Sequence, residues 1–163
     1  MKKINVLFLS YHGGAGGVSV LIYNIAKVLK NSDKVNLEIC YASFKGIYGK
    51  EVEKMGIKVF DLKMKNGYDL FNALRIFRIL KNNDFDIIHL HYFTPLLRIL
   101  VYLFSNKITV ITEHGSIKSE LLGKRWIIMK YIQKILKNTC DAYTAVSIDS
   151  KNDLIINGLS KPE

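Results

Sequence analysis

The sequence is poor in cysteine, proline and acidic residues, and it lacks any long apolar run. Of 163 residues, two are cysteine, two are proline and one is tryptophan. Cys40 and Cys140 lie far apart and match no metal-binding or redox spacing, so both are expected to be small buried thiols of a reducing compartment. The longest apolar stretch, residues 96–104, is interrupted by Arg98 and is much shorter than the roughly 20 residues that cross a bilayer. The apolar run after Met1-Lys2-Lys3 is too short for a signal peptide and ends in a glycine-rich turn. A cytoplasmic location follows as the expectation, with contact to the inner face of the cell membrane left open by charge. Asp and Glu number 14 against 24 Lys and Arg, a formal charge of +10. That imbalance favours nucleotide phosphates, acidic headgroups or nucleic acid. No helix-turn-helix, zinc-finger or RNA-recognition signature is present, which removes nucleic acid from the expected partners.

What is present is a globular pattern, with 49% hydrophobic residues. Short apolar runs at residues 4–9, 35–42, 58–60, 86–90, 109–113 and 142–146 read as strands. Helical periodicity predicts helices over 18–30, 69–81, 95–104 and 124–137, a short helix within 46–55, and a last one capped by Ser147. The strand runs are continuous rather than alternating, as expected of strands covered on both faces. Strand–helix alternation with right-handed crossovers predicts an α/β fold: a doubly wound, mostly parallel Rossmann-like sheet of about six strands in one domain over residues 1–163. Residues 157–163 read as a helix stop and an exit, so the chain is expected to be part of a larger protein.

Gly13-Gly14-Ala15-Gly16-Gly17 links the first strand to the first helix. Its glycines are expected to adopt positive φ and to let a ligand approach the backbone N–H groups. The helix dipole would favour a phosphate or diphosphate there. Two sharper readings fail. No Gly-Lys-Ser/Thr follows, as a P-loop requires. Ser19 occupies the third-glycine place of a dinucleotide fingerprint, and Cys40-Tyr41-Ala42-Ser43 supplies no ribose-binding acid.

The four histidines, His12, His89, His91 and His114, all fall at or just past predicted strand ends, the edge where such sheets bind ligands. His89 lies inside its strand and reads as a hydrogen-bonded structural residue. His91 at the mouth fits either role. His114 follows a strand and precedes Gly115, which exposes its imidazole at the site edge. No Cys/His spacing supports zinc, and no metal or other cofactor is expected.

Together the motifs resemble the retaining family 4 glycosyltransferases, which have the two-domain GT-B fold. The resemblance rests on Gly-Gly-Ala-Gly-Gly-Val at 13–18, Asp-Ile-Ile-His-Leu-His at 86–91, Val-Ile-Thr-Glu-His-Gly at 110–115 and Asp-Ala-Tyr-Thr-Ala-Val-Ser at 141–147. It implies an N-terminal, acceptor-side half of an enzyme using a nucleotide-sugar donor (a UDP- or GDP-sugar) and a glycan or lipid-linked acceptor in cell-surface polysaccharide, lipopolysaccharide or glycolipid synthesis. It assigns Gly16 and Gly17 to the donor diphosphate, with Gly13 and Gly14 shaping the loop, and His114 to the donor sugar as the catalytic residue. His12, His91, Glu113 and Ser116 would line the cleft. Most of the nucleotide-sugar site, in a C-terminal domain or partner chain, does not occur in these residues, so the chain alone is expected to be inactive. The alternative is a non-catalytic subunit that binds acceptor and membrane and recruits a separate catalytic chain. The basic helix with Lys124, Arg125, Trp126 and Lys130 is the expected contact with an anionic membrane surface. Lys63, Lys65, Arg75, Arg78 and Lys81 form a second basic zone.

Overall fold

The computed structural model describes residues 2–91, 94–115 and 124–158, with the side chains of residues 124–126, 129 and 130 excluded. Six strands are present: β1 (Ile4–His12), β2 (Val35–Phe44), β3 (Val59–Asp61), β4 (Ile87–Leu90), β5 (Ile108–Glu113) and β6 (Ala142–Ala145). All neighbours pair in parallel, in the order β3-β2-β1-β4-β5-β6. The described helices are α1 (Gly17–Leu29), α2 (Gly46–Lys54), α3 (Leu70–Ala73), α4 (Arg75–Asn82), α5 (Pro95–Phe104), α6 (Lys124–Leu136) and α7 (Ile148–Ile156).

Period-two alternation in buried strands builds two cores. Leu7, Leu9, Ile88, Leu90 and Ile111 pack on one side against Ile76 of α4 and Leu97 and Val101 of α5. Phe8, Leu37, Ile39 and Tyr41 pack on the other against Ile22 and Ala26 of α1 and Val52 of α2. The strand order reverses between β1 and β4, so the crevice beyond their C-terminal ends is the topological switch point.

Three boundaries differ from the sequence pattern. β1 runs on to His12, and β2 to Phe44, because Ser10 pairs with Tyr41 and His12 with Phe44 across a register shift. Ser10 is itself buried there, and Tyr11, His12 and Ser43 are half-buried. The helix expected over 69–81 is broken at Leu74, where Phe77 N–H bonds to the Leu74 carbonyl at 3.1 Å, a tightened three-residue turn. Cys40 is buried as expected, whereas Cys140 is half-buried; both are free thiols. The expected cap at Ser147 forms, accepting from Ser150 N–H, and Gly158 ends α7 with φ 67°. The helix expected to start at Pro95 does so, with Thr94 accepting from Leu97 N–H as an additional cap.

Arg98, which interrupts an apolar run in the sequence, is only 2% exposed. Its guanidinium donates to Thr139 Oγ1, the Leu136 carbonyl and the Tyr143 hydroxyl, and lies 3.6 Å from Cys140 Sγ. One side chain thus ties α5 to the end of α6, the turn after it and β6. Arg98→Leu should destabilise the protein by about 2–4 kcal/mol, since three acceptors lose their donor in a buried place. Lysine should recover little of this, because an ammonium cannot span the planar fork of contacts. Urea unfolding checks it, and a loss under about 0.5 kcal/mol would show that the clamp is not structural.

Candidate functional site

Two groups of residues meet at the C-terminal edge of the sheet. The first is the loop between β1 and α1. Gly13 N–H donates to the Phe44 carbonyl at 3.0 Å and its carbonyl accepts from Tyr48 N–H at 2.8 Å. A Cβ on Gly13 would lie 1.9 Å from the Lys45 carbonyl oxygen, and one on Gly14 would crowd the Phe44 ring at 3.2 Å. These two glycines are therefore sites of close backbone packing. Around Gly16 and Gly17 the space is open: a Cβ on Gly16 would meet only His12 at an ordinary 3.7 Å, and one on Gly17 nothing within 4 Å. None of Gly13, Gly14, Gly16 and Gly17 adopts the left-handed conformation expected from the sequence. That conformation belongs to Gly46 across the loop, with φ 57°. The glycine requirement comes from how closely the α2 turn approaches.

His12 braces this loop. Its Nδ1 accepts from Gly14 N–H at 3.1 Å, its ring stacks on Phe44 at 5.2 Å, and its carbonyl accepts from Ser19 Oγ at 2.9 Å. Ser19 is buried in that role. The exposed N-terminus of the 13-residue α1 has no side-chain cap at Gly16. Its first N–H groups are thus available to an anion.

The second group is a histidine trio. His89 and His91 sit two apart on β4 and its end, so their rings share one face, with centroids 4.1 Å apart. His114, just past β5, brings Nε2 within 3.1 Å of His91 Nδ1. Phe8 packs against His89 and His91 at 5.1 and 4.6 Å. His89 Nε2 bonds Thr112 Oγ1 at 2.6 Å, which continues to Thr144 Oγ1 at 2.6 Å. Burial pushes the His89 imidazole down to about 4, with His114 adding to the effect. Burial, then His89 and His114, push His91 down to about 2. Burial also lowers His114. The trio is therefore neutral at pH 7, a set of hydrogen-bonding groups rather than a cluster of positive charge. His91 Nε2 is buried without a partner among the described residues.

The fold thus brings Gly13, Gly14, Gly16, Gly17 and His12 beside His91 and His114 along one edge. Glu113 closes β5, where its carbonyl accepts from Val146 N–H at 3.2 Å. Ser116 lies outside the described residues, as do the side chains of Lys124, Arg125, Trp126 and Lys130. Among the described residues no three His, Cys, Asp or Glu side chains are grouped so as to hold a metal ion. The pairing of Thr112 and Thr144 with His89, and the Lys45–Gly49 turn that shapes the glycine loop, escaped the sequence reading. The Lys45-Gly46 pair after a strand was the only local signal for the turn. The threonine relay had none.

A family model described as Glycosyltransferase Family 4 matches residues 15–162. No curated protein matches the chain. Solved structures share its fold. The Anabaena protein Alr3699/HepE, in complex with UDP and glucose, is 16% identical with a TM-score of 0.68, covering 95% of this chain and 41% of that one. A UDP-N-acetylglucosamine 2-epimerase is 15% identical with a TM-score of 0.69, covering 98% of this chain and 46% of its own. The Neisseria meningitidis UDP-GlcNAc 2-epimerase bound to UDP-GlcNAc is 15% identical with a TM-score of 0.63, covering 95% and 43%. The chain therefore matches one Rossmann-like half of a GT-B fold and spans less than half the length of these proteins.

Two measurements probe the site's construction. Gly13→Ala should cost about 1–3 kcal/mol in chemical denaturation, because backbone must move, whereas Gly17→Ala should stay within about 0.5 kcal/mol. Equal effects would contradict the division between packed and open glycines. The histidines add a pH dependence. Their folded pKa values lie below the unfolded value, so below pH 6.5 the unfolded chain binds more protons and stability falls as pH drops. Between pH 6 and 4.5, His91→Phe should reduce the slope of unfolding free energy against pH by up to about 1.4 kcal/mol per unit. An unchanged slope would mean that His91 is protonated in the folded protein.

Proposed function

The chain belongs to Glycosyltransferase Family 4, and from that membership we propose that it forms the acceptor-side half of a transferase. The enzyme moves a sugar from a nucleotide-sugar donor to a glycan or lipid-linked acceptor, and the rest of the nucleotide site is supplied by further protein. A UDP- or GDP-sugar is the donor class. The bound UDP and glucose of HepE, and the UDP-GlcNAc of the Neisseria epimerase, favour UDP. Synthesis of cell-surface polysaccharide, lipopolysaccharide or glycolipid in the cytoplasm is the proposed setting.

The observation that carries this reading is the juxtaposition of the uncapped α1 N-terminus with His114 at one sheet edge. Glycosyl transfer builds positive charge on the sugar ring while negative charge gathers on the departing diphosphate. The N–H groups at Gly16 and Gly17 and the positive end of α1 suit the diphosphate. His114 suits the sugar because it is neutral. An imidazolium would repel an oxocarbenium-like centre, whereas a neutral ring can donate or accept a hydrogen bond at a hydroxyl. His91, bonded to His114, orients that ring. Gly13, Gly14 and His12 hold the loop at the distance the donor requires. No residue of this set calls for a metal, and none is proposed.

The test is release of nucleoside diphosphate from a panel of UDP- and GDP-sugars by the whole protein, with acceptor extracts present. His114→Ala should lower kcat by about 10²–10³-fold while leaving the unfolding midpoint close to wild type. Wild-type turnover in that variant would remove His114 from the reaction.

A further inference from the structure

The glycine loop spends two of its N–H groups on the protein itself. Gly13 N–H goes to the Phe44 carbonyl at 3.0 Å and Gly14 N–H to His12 Nδ1 at 3.1 Å. The second bond settles the chemistry of a side chain as well. A backbone N–H only donates, so Nδ1 is the unprotonated nitrogen of His12 and the ring carries its proton on Nε2. That Nε2–H has no acceptor among the described residues. The ring is held in place, with Phe44 stacked on it at 5.2 Å and 17° and Tyr11 packed at 5.6 Å. Its Cε1, bonded to Nε2, lies 3.7 Å from where a Cβ on Gly16 would stand. Gly16 is the N-cap of α1 and offers no capping side chain. The first bond of α1 runs from Val20 N–H to the Gly16 carbonyl at 3.0 Å, so the N–H groups of Gly17 and Val18 lie ahead of it without acceptors among the described residues. Residues 15–17 are exposed. A fixed imidazole N–H thus flanks free backbone N–H groups, with no side chain at Gly16 to separate them.

We propose that His12 Nε2–H donates directly to a phosphate oxygen of the donor diphosphate, which makes His12 a binding residue as well as a brace of the loop. The inference rests on the transferase reading and gives its diphosphate a side-chain ligand. One phosphate group can accept from the imidazole N–H and from the N–H groups at the helix end together. The bare Gly16 leaves room for that approach. Because the ring is already immobilised by Gly14 and Phe44, the contact costs little side-chain entropy. Negative charge grows on the diphosphate as the glycosidic bond breaks, so the bond strengthens as the reaction proceeds. Gly13 and Gly14 add no N–H to the ligand, since both are committed within the protein. The sequence reading placed His12 among the cleft residues and left the diphosphate to the glycines. The position of the ring proton moves His12 to the diphosphate.

The experiment is titration of the full chain with inorganic pyrophosphate, followed by NMR of the His12 ring nitrogens and of the Gly16 and Gly17 amides. Nε2 should carry the proton at the start, and its signal should move together with the two amides as pyrophosphate binds. His12→Asn separates the contact from the brace. An asparagine oxygen still accepts from the N–H two residues on, an Asx turn, but nothing takes the place of Nε2–H. The unfolding midpoint of His12→Asn should stay close to wild type, while its affinity for pyrophosphate and for UDP falls roughly ten- to a hundredfold. A proton on Nδ1 in the free protein, no movement of the Nε2 signal, or unchanged affinity in His12→Asn would overturn the proposal. If His12→Asn does not fold, the wild-type proton position and titration still decide. Pyrophosphate held by His12, in a protein that releases no nucleoside diphosphate from any nucleotide-sugar, would leave the contact standing and remove the transfer reading. Turnover with an unchanged kcat/KM for the donor in His12→Asn would do the reverse.

Discussion

The central placement of β1, hydrogen-bonded in parallel to β2 on one side and β4 on the other, is the constraint on which everything else rests. A parallel neighbour can be reached only by a crossover, and right-handed crossovers from this strand send α1 to one face and the helices before β4 to the other. Leu7 and Leu9 then enter one core and Phe8 the other. Because every strand runs the same way, each connection leaves from one edge. The glycine loop after β1, His91 after β4 and His114 after β5 meet there, though they are distant in sequence.

The two sides of the domain differ in how they treat charge. At the site edge, Phe8 packs on His89 and His91, His91 is buried and His89 and His114 are half-buried, and this desolvation favours the neutral form of each imidazole. The excess positive charge lies instead on the outer helices, where cations stay hydrated and cost little. A neutral polar cleft and a cationic outer face coexist because burial discharges histidine but leaves exposed lysine and arginine ionised. Arg98 is the exception. It is a buried guanidinium whose charge is met by a carbonyl and two hydroxyls converging from three segments.

Two sequence signals proved to have causes other than those they suggested. The glycine-rich loop looked like a backbone in need of positive φ. Its first two glycines answer instead to steric contact with the Lys45–Gly49 turn, and the left-handed residue is Gly46 in that turn. Local composition marks a tight spot but does not say which neighbour makes it tight. Likewise Arg98 looked like an interruption of an apolar helix, when its partners lie 38 to 45 residues away.

The sequence alone determined the parallel α/β architecture, the start of a helix at Pro95, the helix cap at Ser147, the stop at Gly158 and the edge at which the histidines gather. These follow from hydrophobic periodicity and from bonds within a few residues of one another, which a linear pattern records. Only the tertiary structure decided the break at Leu74, the threonine relay behind His89 and the neutral state of the trio. Each of those depends on atoms brought together from separate segments, and both the burial and the hydrogen-bond partners that govern them exist only once the sheet has formed.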